Sequence, residues 1–87
     1  MRNKAPKIKA GDLVISNDVN EYEIESGYER LYSDPFRMDY EVDQYVLWRH
    51  PTPALVLEVK PTGWSKAKVL AGDKMGWIWC DYLEVVG

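Results

Sequence analysis

The chain has 87 residues with 46% hydrophobic and 29% charged side chains, which predicts one globular domain with one modest core and excludes disordered, collagen-like and coiled-coil chains. A single Cys cannot make an intramolecular disulfide or a Cys-based metal site, so packing must hold the fold and a reducing compartment is expected. No run approaches the roughly 20 apolar residues of a membrane span, and the start MRNKAPKIKAGD lacks the apolar stretch of a signal peptide, so we expect a cytoplasmic protein without a membrane partner.

The net charge of −3 conceals an uneven distribution. Residues 1–17 carry Arg2, Lys4, Lys7 and Lys9 against Asp12. Residues 18–43 carry nine acids against Arg30 and Arg37, and residues 44–87 carry five bases against four acids. A middle of −7 repels phosphate, which counts against a nucleic-acid footprint over the whole surface.

In chain order, residues 1–7 read as a flexible polar arm around Pro6. Gly11-Asp12 signals a turn, and Leu13-Val14-Ile15 after it reads as a strand. From 18 to 53 runs a long acidic and aromatic excursion with no sustained period. Tyr28, Leu31 and Tyr32 have the spacing of one helical turn, which Asp34-Pro35 would stop. Met38, Tyr40 and Val42 alternate with acids as in a half-buried extended arm, and Tyr45 to Arg49 fits its return. Residues 54–59, 64–70, 76–80 and 83–86 read as four further strands separated by Gly-containing turns. Together they predict an all-β meander of five strands closing into a small barrel.

The stretches ALVLEV (54–59), GWSKAKV (63–69) and GDKMGWIWCDYLEVV (72–86) resemble the SH3 domain and the wider group of SH3-like small barrels. Gly76, Ile78, Asp81, Tyr82, Leu83 and Glu84 fall in register with the SH3 ending, and 18–53 would be a long insertion in the place of the RT loop. The order GDLV, VLEV, KVL, GWIW, LEVV is also similar to small SH3-like proteins of bacteriophages, which implies a structural phage protein, virion-associated, as one further reading. The usual ALYDY motif has no counterpart, and Trp79 replaces the customary Pro.

Strand alternation assigns side chains to faces. Ile78 and Cys80 share one face and Trp77 and Trp79 the other, and a small barrel holds Ile and Cys inside more readily than two indoles. Likewise Ala67 and Val69 point in while Trp64, Lys66 and Lys68 point out. Trp64, Trp77, Trp79 and Tyr82 then form an aromatic shelf, and the resemblance implies that these positions match the SH3 peptide groove. So much apolar surface requires a cover. The candidates are an external partner, the protein's own 18–53 excursion, or a second copy of the chain in a homo-oligomer.

No catalytic or cofactor motif is present. His50 and Cys80 are the sole residues of their kinds, and the acids of 18–43 lack the spacing of a calcium loop. The expected function is therefore a non-enzymatic, cofactor-free protein- or peptide-binding module whose acids complement a basic or Pro-containing segment. The alternative is a nucleic-acid-binding barrel of the KOW or Tudor-like kind, with Trp64 stacking on a base beside Lys66 and Lys68.

Overall fold

The computed structural model describes residues 8–17, 27–39, 41–49, 52–61 and 65–86. Over these described residues it is all-β, with seven strands: β1 (Leu13–Ser16), β2 (Tyr28–Tyr32), β3 (Tyr45–Arg49), β4 (Ala54–Lys60), β5 (Lys66–Ala71), β6 (Lys74–Trp79) and β7 (Leu83–Val85). One turn of 3-10 helix, Cys80–Tyr82, links β6 to β7. The strands form one curled antiparallel sheet, a half-barrel, in the order β3-β2-β6-β5-β4-β1-β7. The arm 1–7 and residues 18–26 of the excursion lie outside the described residues.

The β-rich runs of the second half form the meander that alternation predicts, with Leu55 opposite Leu70 and Ala67 opposite Ile78. Two features bend it. The register shifts between Val56 and Glu58 on β4, so that Leu57 is the extra residue of a bulge, a device that increases local twist. On β6, Gly76 lies beneath β2, where a Cβ would stand 2.7 Å from both the carbonyl carbon and Cβ of Leu31. Only a residue without a side chain lets the two backbones approach this closely.

The strand count of five is corrected to seven, and the two additional strands come from the excursion. Tyr28, Leu31 and Tyr32 belong to strand β2 rather than to a helical turn. Their partner is β3, with Leu31 opposite Val46 and Tyr32 opposite Tyr45, and the cross-strand pairing outweighs a helical spacing of only three residues. The expected extended arm at 38–42 does not form among the described residues. A hydrogen bond from Val42 N to Asp39 O closes a turn there, and one from Arg37 N to Asp34 O closes another just before it.

Two apolar clusters result. The inner one fills the curl with Val14, Leu31, Trp48, Val56, Ala67, Val69, Ile78, Cys80 and Leu83 at its centre. Trp48 is satisfied there because its indole Nε1 donates to Thr52 O at 2.6 Å. Two polar side chains are also buried, and Ser16 Oγ donates to Glu29 Oε2 at 2.5 Å. The outer cluster lies on the opposite face of β6 and β2 and consists of Tyr32, Met38 and Trp77, with Val42, Tyr45 and Trp79 packed against it.

Candidate functional site

Strand β6 carries the expected alternation. Ile78 and Cys80 are buried in the inner cluster, and Trp77 and Trp79 project from the other face. Outward does not mean exposed, however. Trp77 is only 5% accessible because Tyr32 and Met38 from the excursion cover it. Of the three candidate covers, the chain's own excursion is the one that lies over Trp77, and the reason is physical. A bare indole would leave a large apolar area in water, and the chain supplies its own cover.

The other expected site residues are distributed differently. Trp79 is half-buried in the outer cluster, whereas Tyr82, also half-buried, packs against the inner one. Trp64 lies outside the described residues. Lys66 and Lys68 are half-buried on β5, directly opposite Trp79 and Trp77 in the β5–β6 register, and Lys60 on β4 stands opposite Lys66. The cations of Lys60 and Lys66 sit over aromatic faces. Lys60 Nζ is 5.6 Å from the Trp77 ring centre, and Lys66 Nζ is 5.1 Å from that of Trp79.

Lys66 also reveals a residue that alternation did not single out. Its ammonium lies 5.3 Å from the ring centre of Phe36 and donates a hydrogen bond to Pro35 O. Phe36 is 79% exposed, the most exposed large hydrophobic side chain among the described residues. Its turn is fixed from two directions. Asp34 Oδ1 accepts the Phe36 amide at 2.9 Å, an Asx turn, and Lys66 ties down the carbonyl of Pro35. Phe36 and Trp79 thus flank one ammonium on an ordered support. The sequence signal was the Asp34-Pro35 pair, which marks a turn as well as the end of a helix.

Beside this turn, Asp34, Arg37, Glu41, Val42, Asp43 and Gln44 line a shallow depression of about 170 Å³. Asp39 Oδ1 accepts the Glu41 amide at 3.0 Å and fixes the second turn of its rim. Three carboxylates against one guanidinium leave the depression acidic, so it would favour a cationic group at its mouth. Cys80 is a buried free thiol. Burial, with a smaller contribution from Asp81, pushes its thiol up to about 11. Among the described residues no three His, Cys, Asp or Glu side chains converge to hold a metal ion. Nor is any helix there long and apolar enough to cross a membrane.

Compared with family models, with characterised proteins and with solved structures, the chain gives no match in any of the three.

Proposed function

We propose that the protein is a peptide-binding module on an SH3-like barrel, with its recognition surface displaced from the expected shelf to the turn at Phe36. Phe36 and Trp79 take an apolar or Pro residue of the partner, and the acidic depression at Asp34, Glu41 and Asp43 takes a basic one. The observation that carries this reading is the 79% exposed ring of Phe36 held on a doubly anchored turn. A loop that merely crosses the surface has no need to hold an aromatic ring in water, whereas an anchor for a partner does.

The test is a titration of the labelled protein with Pro-rich peptides that contain Arg, followed by NMR. Binding should shift the signals of Phe36, Trp79, Glu41 and Asp43 and should fall at least tenfold in Phe36→Ala. Shifts confined to other surfaces, or none at millimolar peptide, would defeat the reading.

A second reading draws on the neighbouring cations Lys60, Lys66 and Lys68 beside Trp77 and Trp79, an arrangement that suits a nucleic-acid backbone. It is weaker, because Lys66 is already engaged with Pro35 and two rings and Glu58 lies 3.7 Å from Lys60 Nζ. Retention on heparin or mixed oligonucleotides, with a steep salt slope that flattens in Lys68→Glu, would favour it over peptide binding.

A further inference from the structure

Among the described residues the curled sheet ends in two edges, β3 and β7, and they are not alike. Strand β7 spans only Leu83–Val85, a short edge of the kind that discourages further pairing. Strand β3 is five residues long, reads Tyr-Val-Leu-Trp-Arg, and contains neither Pro nor a bulge. Ser33 N donates to Gln44 O, and antiparallel alternation then directs the amides of Val46 and Trp48 toward β2 and those of Tyr45, Leu47 and Arg49 away from it. Arg49 O accepts from Thr52 N at 2.9 Å. Among the described residues no hydrogen bond engages the outward backbone groups of Tyr45 and Leu47, and the side chains of Val46 and Leu47 are 38% and 41% exposed.

We infer that two copies of this chain associate edge to edge through β3, antiparallel about a two-fold axis at Leu47, to make one continuous sheet. The strand is complementary to itself in that arrangement and in no parallel one. Leu47 meets Leu47 of the other copy through paired backbone hydrogen bonds. Val46 comes opposite Trp48, and Tyr45 opposite Arg49, so that the second guanidinium approaches an aromatic ring that already carries Arg30 at 4.4 Å on its own side. The charges agree as well. The strand is preceded by the acids Glu41 and Asp43 and ends in Arg49, and an antiparallel partner sets acid beside base at both ends, with Asp43 diagonal to Arg49. Isologous pairing of this kind closes the sheet edge and stops at two copies.

The β3 edge shares Asp43 with the rim of the acidic depression but not Phe36 or Trp79. The readings are therefore told apart by Phe36→Ala, which should weaken peptide binding and leave the dimer intact, and by Leu47→Lys, which should do the reverse. The experiment is sedimentation of the full chain across micromolar to millimolar concentration, together with amide hydrogen exchange at both extremes. The expected result is a monomer–dimer equilibrium in which Tyr45 and Leu47 amides gain at least tenfold protection in the dimer, while Val46 and Trp48, already bonded to β2, change little. Leu47→Lys, which sets like charges opposite each other, should weaken dimerisation at least tenfold. The control Leu70→Lys, at an exposed position on β5, should leave it unchanged. Asp43→Arg and Arg49→Asp should each weaken the dimer, and the double variant should restore it. A chain that stays monomeric at millimolar concentration overturns the inference. So does a dimer indifferent to Leu47→Lys but lost in Leu70→Lys.

Discussion

The two apolar clusters lie on opposite faces of the same two strands, and they teach different things about how sequence specifies burial. The inner cluster is built from aliphatic residues, Trp48 and Cys80, spread over the whole sheet, and curvature encloses it. The outer cluster is aromatic-rich and local, and Tyr32, Met38, Val42 and Tyr45 from the excursion cover two indoles of β6. Adjacent residues divide between them: Leu31 from Tyr32 on β2, and Ile78 from Trp77 on β6. Alternation determines which cluster a residue joins. Whether its face is wet depends on a loop that alternation does not describe.

If the outer cluster is a genuine second core, the largest effect belongs to Trp77→Ala, which should cost about 3–5 kcal/mol in a urea titration. A loss below about 1 kcal/mol would mean that the ring lies free. Ile78→Ala, on the inner side of the same strand, should cost about 2–5 kcal/mol, so the two neighbours should be of comparable weight. Gly76→Ala drives a methyl into the Leu31 backbone, where no flexible side chain can yield. Overpacking of this kind costs about 1–3 kcal/mol, and a neutral result would show that β2 stands farther from β6.

Smaller effects separate interior from surface. The Cys80 thiol is pushed up to about 11 from 9.0 by burial, so the native state holds its proton where the unfolded chain releases it. Stability should therefore fall as pH rises from about 9 to about 11, and Cys80→Ser should remove that slope. Iodoacetamide at pH 8 should label Cys80 only at the rate of unfolding; rapid labelling would contradict its place inside. Phe36→Ala should change stability by no more than about 0.5 kcal/mol while abolishing peptide shifts. A larger loss of stability would assign Phe36 to the outer cluster instead.

The meander of β4, β5 and β6 was legible because its runs are short, β-branched and punctuated by Gly-containing turns. The faces of Ile78, Cys80, Ala67 and Val69 followed from a period of two. Of the excursion, only the extended return at Tyr45–Arg49 was legible, and it forms β3. The strand identity of Tyr28–Tyr32 comes from pairing with β3 thirteen or more residues later, a non-local interaction that no window of sequence contains. Of the candidate site, the outward faces of Lys66, Lys68 and the β6 indoles were readable. That the excursion covers the shelf was one of three readings the sequence left open. That Tyr32 and Met38 do so over Trp77, and that Phe36 stands out, was not readable, since both depend on where the turns at 34–42 settle. A local sign did exist at Phe36, in an Asp two residues before it whose carboxylate fixes the turn.

The division into two clusters is tested most directly by NOE contacts of the Trp77 indole in the labelled protein. The structure predicts strong contacts from its ring to the Met38 methyl and the Tyr32 ring, with none to Val69 and Leu83 of the inner cluster. An indole that exchanges freely with water and shows no contact to Met38 or Tyr32 would contradict the outer cluster, and with it the displacement of the recognition surface to Phe36.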